Sequence, residues 1–210
     1  VLVSDEREER ALELERSGLP VARVGAELLA RKSALKTSPG IAAICVIPRT
    51  RTIEELELAP RALLLVVAGV GDPGNLGALA RCAEAAGASA LVVVAGSASP
   101  WNEKALRGSM GSLLRLPVAT CASASEAATA LSLRRVRLIA AATRDGKPAT
   151  SFDWSGRIAL WVGPETGADP REMARFERVT IPMAGKVESL NVTVAAALLL
   201  FAARRAEPTP

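Results

Sequence analysis

The hydrophobic residues of the chain fall into short blocks separated by polar, glycine-rich or proline-rich stretches. The block at 62–70 is a continuous run of leucine, alanine and β-branched residues, typical of a strand buried on both faces of a parallel sheet. Further strands are predicted at 90–96, 117–120, 136–143, 158–163 and 179–183, and helices at 75–86, 101–108, 125–131, 170–175 and 189–205. We therefore predict an α/β domain with a mainly parallel sheet over 61–210, whose ligands bind beyond the carboxyl ends of the strands.

The first 60 residues alternate over shorter distances. They predict strands at 1–3, 20–24 and 41–47 and helices at 5–17 and 26–29, which together indicate part of a small α/β module over 1–48. Because Val1 opens an apolar run, we expect further sequence upstream. Residues 49–60 are polar and lie between prolines, which favours a linker. The basic loop at 30–41 fits a solvated connector and an RNA-contacting loop equally well.

Charge and composition narrow the function classes. The 26 basic and 22 acidic residues give a net charge of +4, which favours an anionic partner such as nucleic acid. The chain contains no histidine, so Ser-His-Asp, Cys-His and histidine-ligated metal mechanisms are excluded within it. Cys45, Cys82 and Cys121 are widely separated and lack CxxC spacing, so we expect neither zinc nor disulfides and assign no metal.

Aromatic content and apolar length restrict the partners further. With no tyrosine, three phenylalanines and three tryptophans, the chain lacks a platform for stacking bases, so RNA would be recognised through shape, phosphates and ribose. The longest apolar stretch, 192–203, is too short to cross a bilayer, and no signal peptide is recognisable. Cysteines without disulfide spacing are typical of a reducing compartment. We therefore predict a cytoplasmic protein without a membrane partner.

One glycine motif suggests a nucleotide cofactor. Gly69, Gly71 and Gly74 spell GxGxxG between a predicted strand and a predicted helix. A dinucleotide site of this type requires an acidic residue about 20 residues later to bind the ribose hydroxyls, and the strand at 90–96 ends without one. Pro73 also interrupts the phosphate turn. A nicotinamide or flavin oxidoreductase is therefore the disfavoured alternative.

Three other segments carry polar residues at the ends of predicted elements. Residues 72–88 place Asn75 and Arg81 around a helix start, which also fits a capped helix with a solvated arginine. Residues 161–170 end a buried strand in a loop with Glu165, which fits a ligand loop or a plain turn. Ser189 and Asn191 stand before an apolar helix, where they would cap it or orient a substrate.

In their order, these segments resemble the three motifs of the SpoU, or TrmH-like, family of RNA ribose methyltransferases in the SPOUT superfamily. The motifs look like NLGALARCA at 75–83, VGPETGA at 162–168 and IPMAGKVESLNVTVAAA at 181–197, with a similar spacer at 108–118. Ala168 departs from the family, which usually has leucine there, and we expect this to alter packing. The N-terminal segment is similar to the latter part of a ribosomal-protein-like RNA-binding module.

The resemblance implies a deep trefoil knot near the C-terminus and a homodimer whose active site combines two chains. It implies S-adenosylmethionine as cofactor, bound bent, with its adenine held by backbone groups of the knot loops. The residues predicted to bind it are Ala141, Thr143, Gly163, Ile181, Met183 and Leu190. Apolar side chains with backbone hydrogen bonds suit a buried adenine ring.

The implied reaction is methyl transfer to a ribose 2′-hydroxyl of structured RNA, with ribosomal RNA favoured. Arg81 is the predicted central catalytic residue, Asn75 would position Arg81 or the ribose, and Glu165, Ser189 and Asn191 would complete the pocket. The alternatives are transfer RNA as substrate and a non-catalytic knotted factor in RNA binding or ribosome assembly. The basic residues predicted to contact the RNA backbone are Arg31, Lys32, Lys36, Lys104, Arg107 and Arg115.

Overall fold

The computed structural model describes residues 1–33, 38–163, 176–185 and 187–205. The chain divides into two compact units, Val1–Pro48 and Arg49–Pro210. Residues 49–60, predicted above as a linker, pack within the second unit. Ile53 and Leu56 are buried there, and Arg51 forms a parallel bridge with Ala119.

The first unit is a small sheet with helices. Parallel pairing joins β1 (Leu2–Ser4) to β2 (Ala22–Val24), and antiparallel pairing joins β1 to β3 (Ile41–Ala42). The helices are α1 (Glu8–Arg16), preceded by a single 3-10 turn, and α2 (Ala26–Lys32). The strand predicted over 41–47 is wrong beyond Ala42. Its continuation has no partner strand among the described residues, and Ile44 and Val46 are 85% and 93% exposed.

The second unit is a parallel sheet with helices on both faces. Its strands are β4 (Leu63–Val67), β5 (Ala90–Val94), β6 (Val118–Cys121), β7 (Arg137–Ala142), β8 (Lys147–Pro148), β9 (Ile158–Val162) and β10 (Glu177–Thr180). They stand in the order β6, β5, β4, β9, β7, β10, β8, and every pairing is parallel. The helices described are α3 (Pro73–Ala85), α4 (Glu103–Ser109), α5 (Ser112–Arg115), α6 (Ala124–Leu133) and α7 (Val192–Arg205). The α/β prediction with a mainly parallel sheet is confirmed.

Alternating side chains of the central strands fill two cores. Leu65 and Val67 pack on the face that carries α3, α4 and α7, whereas Leu64 and Val66 pack on the face that carries α6. Every residue of β4, β5 and β9 is buried, which explains their continuous apolar runs.

Three helices share the face that carries the first core. Helix α3 lies in close contact with α4, because a side chain at Gly77 would come within 2.3 Å of the Ala105 carbonyl oxygen. On its other flank α3 packs against α7, and Arg204 of α7 donates to the carbonyl of Ala85 at 2.7 Å. The first turns of α3 and α7 are therefore neighbours at the carboxyl edge of the sheet.

Several boundaries differ from the prediction. The last helix starts at Val192 and not at residue 189, because the Asn191 side chain caps it by accepting the Thr193 amide at 2.8 Å. The short elements α5 and β8 were not predicted, since four and two residues carry no periodic signal. The predicted helix at 170–175 lies outside the described residues, and the trefoil knot stays a prediction.

The lengths of the described helices can be compared with the thickness of a bilayer. Across the described ranges, no helix combines the length and the apolar character needed to span a bilayer.

Candidate active site

Two adjoining cavities open at the carboxyl edge of the sheet. The first, of about 70 Å³, is apolar and lies between the ends of β7 and β10 and the start of α7. The second, of about 360 Å³, lies between the loop after β4, the end of β9 and the first turns of α3 and α7. Ala141, Thr143, Leu190 and Ala195 line both cavities, so the two adjoin. The larger one has the size of a small-molecule site.

All six residues predicted to bind the cofactor line these cavities. Five lie around the apolar cavity, and Gly163 lies in the wall of the larger one. Five of them lie at or just beyond the carboxyl ends of β7, β9 and β10, and Leu190 lies just before α7. The carboxyl ends of parallel strands are where ligands bind in such sheets. Ala142, Ala195 and Leu199 also line the apolar cavity and were missed, because an apolar residue carries no signal of its own in a sequence.

Gly163 shapes the boundary between strand and cavity. Its φ angle is +138°, and a Cβ atom there would stand 1.8 Å from the carbonyl oxygen of Ala68. The backbones of β9 and β4 continue to pair at this point, since the Ala68 amide donates to the Val162 carbonyl at 3.0 Å. Glycine is therefore required for the strand ends to approach closely.

Asn75 and Asp72 form the polar rim of the larger cavity. Asp72 caps α3, with Oδ1 accepting the Asn75 amide at 2.9 Å, while Oδ2 accepts Lys104 Nζ at 2.7 Å. The Lys104 ammonium, followed by the Asn75 amide, lowers the pKa of Asp72 below its ordinary value. The Asn75 carboxamide makes no hydrogen bond to any residue in the described ranges. The prediction missed Asp72, although an aspartate before proline at a helix start is a recognisable cap.

Arg81 lies away from these cavities in its own chain. Six residues separate it from Asn75, which places the two about 9 Å apart along the helix axis and on different faces of α3. Arg81 is exposed, and its guanidinium makes no hydrogen bond or ion pair with the described part of the chain. No hydrogen bond joins the side chains of Asn75 and Arg81 in the described part of this chain, and the role of Asn75 toward Arg81 stays a prediction.

The third predicted motif, at 181–197, has some residues in the cavity walls and others on the exposed surface. Leu190 lines both cavities, whereas Ser189 and Asn191 are exposed and line neither. Asn191 is committed to capping α7. Glu165 lies outside the described residues. The predicted catalytic set is thus not assembled around one point by the described residues of a single chain.

The predicted RNA-contacting residues are also dispersed. Arg31 and Lys32 are exposed at the end of α2 in the first unit, and Lys36 lies outside the described residues. In the second unit, each of the three predicted cations already pairs with an acid on its own chain. The pairs are Lys104 with Asp72, Arg107 with Glu103 and Arg115 with Glu84.

Comparisons with known proteins agree on one family. The profile of the SpoU rRNA Methylase family matches residues 62–201. A 23S rRNA (guanosine(2553)-2'-O)-methyltransferase of Bacillus subtilis is 35% identical over 79% of this chain and 65% of its own length. A 23S rRNA (guanosine-2'-O-)-methyltransferase of Xanthomonas axonopodis is 34% identical over 90% of this chain and 79% of its own length. The chain thus spans slightly less than two thirds of the Bacillus relative.

Solved structures share the fold. A SpoU methyltransferase of Streptomyces viridochromogenes in complex with AdoMet has a TM-score of 0.83 at 27% identity, covering 98% of this chain and 81% of that one. An RNA 2'-O ribose methyltransferase has a TM-score of 0.81 at 32% identity, covering 97% of this chain and 79% of that one.

Proposed function

Because the chain belongs to the SpoU rRNA Methylase family, we propose that it transfers a methyl group from S-adenosylmethionine to a ribose 2′-hydroxyl of ribosomal RNA in the cytoplasm. The observation that carries this proposal is the pair of adjoining cavities, whose walls contain all six predicted cofactor residues and whose rim contains Asn75. The relatives named above as 23S rRNA methyltransferases support the choice of substrate.

The cavity walls suit this cofactor in shape and chemistry. The apolar part, between Ala141, Ile181 and Leu199, offers a dry slot for an adenine ring, and nearby backbone groups can satisfy its polar edge. The polar part, near Asp72 and Asn75, suits the amino-acid end of the cofactor and the incoming ribose. When bound, S-adenosylmethionine supplies an electrophilic methyl group on its sulfonium, so the transfer requires no metal.

The chain's own residues would hold the nucleophile and stabilise its charge. Asn75 would orient the ribose at the cavity rim, since alignment of the 2′-oxygen can supply much of the rate acceleration. Because a guanidinium is a cation with a bidentate fork of donors, we assign Arg81 to the adjoining phosphate and to the charge that develops on the 2′-oxygen. Glu165, Ser189 and Asn191 remain proposed members of the pocket.

The position of Arg81 favours a site shared between two chains. Because Arg81 lies outside the cavities of its own chain, we propose that it serves the cavity of a second copy in a homodimer. Helix α7 provides a surface for this assembly: Val194, Leu198 and Phe201, spaced by four and three residues, lie on one face and are 48%, 50% and 41% exposed. Clustered apolar residues of this kind mark protein interfaces.

Methyl transfer from labelled S-adenosylmethionine to unmodified total RNA tests the function. We expect label in one ribosomal RNA species as an alkali-resistant nucleotide, and its loss with Arg81→Ala. Arg81→Lys should also lose most activity, because lysine lacks the bidentate fork. Label confined to transfer RNA would correct the substrate. Cofactor binding without any labelled RNA would instead support a non-catalytic knotted factor.

A further inference from the structure

Helix α3 carries only two charged side chains, Arg81 and Glu84, and they lie three residues apart. Residues at this spacing are neighbours on a helix surface, with Cβ atoms about 5–6 Å apart, so an arginine and a glutamate placed in this way can form an ion pair. Both residues lie in the described ranges, where no hydrogen bond or ion pair joins them. The carboxylate nearest to Arg81 along α3 is therefore engaged elsewhere.

Arg115, at the end of α5, occupies both carboxylate oxygens of Glu84. Its Nε donates to Oε1 at 2.6 Å, and its Nη2 donates to Oε2 at 2.8 Å. Two parallel charge-assisted bonds of this kind are among the strongest hydrogen bonds in proteins. The bond from Arg115, followed by one from the Ser112 side chain, lowers the pKa of Glu84 from its ordinary value of 4.5 to about 2. Glu84 is therefore a carboxylate at neutral pH, and Arg115 is the cation that neutralises it.

The surroundings of this ion pair hold the Arg115 guanidinium in place. Its Nη2 also donates to the Met110 carbonyl at 3.4 Å, and Gly111 leaves room for it, since a Cβ atom there would stand 2.6 Å from Nη1. Glu84 lies in the last turn of α3, where the helix dipole disfavours a negative charge and α3 itself offers no basic residue. Arg115 supplies the compensating charge from a neighbouring helix.

We propose that Arg115 is a positioning residue, which holds Glu84 so that the Arg81 guanidinium stays free for the RNA phosphate and for the charge that develops on the 2′-oxygen. Without Arg115, Glu84 would be an uncompensated carboxylate beside Arg81. It would pair with Arg81 and repel the phosphate that Arg81 binds. Arg115 thus acts through Glu84, in place of the direct RNA contact expected from the sequence. The inference rests on the proposed function of Arg81.

The test compares Arg115→Gln with the double variant that also carries Glu84→Gln. Arg115→Gln should lower kcat/KM for RNA about tenfold, with the affinity for S-adenosylmethionine unchanged, because Arg81 becomes paired with Glu84. Adding Glu84→Gln should restore most of the rate, since a neutral amide neither neutralises Arg81 nor repels the phosphate. Glu103→Gln in the Arg115→Gln background is the matched control, because it removes an equal charge from α4 and should restore nothing.

Thermal stability separates this role from a merely structural one. Arg115→Gln and the double variant both lack the ion pair, so both should have a Tm below that of wild type, and only the rate should recover in the double variant. A double variant as slow as Arg115→Gln would overturn the proposal and favour a direct contact between Arg115 and RNA. Equal recovery with Glu103→Gln would also overturn it, because net charge alone would then explain the effect.

A second readout does not depend on turnover. In the protein without cofactor or RNA, the Nε–H NMR signal of Arg81 should shift with Arg115→Gln and return in the double variant. An Arg81 signal that stays unchanged in Arg115→Gln would show that Glu84 does not reach Arg81, against the proposal. Wild-type protein that transfers no methyl group would instead refute the proposed function, and the NMR comparison would still decide whether Arg115 keeps Glu84 from pairing with Arg81.

Discussion

At the scale of single residues, the end of β9 depends on the absence of a side chain at Gly163. Two separate constraints act there: a φ angle of +138° and the Ala68 carbonyl oxygen in the space that a Cβ atom would take. Gly156 has a φ angle of +79° but open space around the same direction. Substituting Gly156 therefore tests backbone strain alone, whereas substituting Gly163 tests backbone strain together with steric overlap.

We predict that Gly163→Ala destabilises the protein severely and abolishes cofactor binding, because β9 must move away from β4 at the cavity wall. Gly156→Ala is the matched control, and it should cost only about 1–2 kcal/mol from the left-handed conformation. Thermal unfolding and calorimetric titration with S-adenosylmethionine measure both effects. Equal losses of stability in the two variants would contradict the prediction. They would show that the contact between the new Cβ atom and the Ala68 carbonyl oxygen adds no cost.

The sequence allowed the cofactor residues to be predicted, but the catalytic set only in part. Ile181 and Leu190 follow from their positions in the third motif, and Ala141 lies near the end of the strand predicted at 136–143. Arg81 also follows from a motif position, yet its place outside the cavity depends on which face of α3 it occupies. Ala195 and Leu199 could not be found, since an apolar residue in an apolar helix carries no signal that it lines a cavity.

At the scale of elements, α3 is held on both flanks by contacts near its C-terminal end. Arg204 of α7 binds its last turn on one side. On the other side Arg115, at the end of α5, donates two hydrogen bonds to Glu84 at 2.6 and 2.8 Å. Because the first turn of α3 carries Asp72 and Asn75, these contacts also fix the rim of the cavity.

The Glu84 and Arg115 pair makes a prediction about pH. The hydrogen bond from Arg115 lowers the pKa of Glu84 from its ordinary value of 4.5 to about 2. A carboxylate whose pKa is lower in the folded state stabilises the fold above pH 4.5 and loses this contribution as the pH falls toward 2. Glu84→Gln should therefore lower Tm at pH 7, and the difference from wild type should shrink between pH 4.5 and 2. A difference in Tm that is constant across this range would contradict the assignment.

Most elements were predictable because the positions that are buried in a strand or helix form a recognisable pattern of apolar residues in the sequence. The fully buried β4, β5 and β9 read as continuous apolar runs, and the order of elements led directly to a parallel sheet. The errors fall where tertiary contacts decide the boundary. The apolar run after β3 resembles a strand but lacks a neighbour among the described residues, and α7 starts later than its pattern suggests because Asn191 caps it.

At the scale of the whole molecule, charge is unevenly divided between the two units. Residues 1–48 contain seven acidic and seven basic side chains, so the excess charge of +4 belongs entirely to residues 49–210. In the first unit Arg23 is bound by Glu8 and Glu15, whereas Arg31 and Lys32 are exposed at the end of α2. Electrostatic attraction to RNA should therefore act mainly through the second unit.

Shared active sites would explain why Arg81 and the cavity are separated within one chain, and mixing of inactive variants tests this directly. Arg81→Ala removes the arginine and keeps the cavity, whereas Ala195→Trp fills both cavities and keeps the arginine. In a heterodimer with two-fold symmetry, one site would then combine the intact cavity of one chain with Arg81 of the other. After unfolding and refolding an equal mixture, we expect about a quarter of wild-type methyl transfer, since random pairing makes half of the dimers heterodimers and each heterodimer has one intact site out of two. The separately refolded variants should stay inactive, and Leu198→Glu on the exposed face of α7 should yield monomers and prevent the recovery. No recovery in a mixture that sedimentation shows to contain dimers would place Arg81 in the site of its own chain.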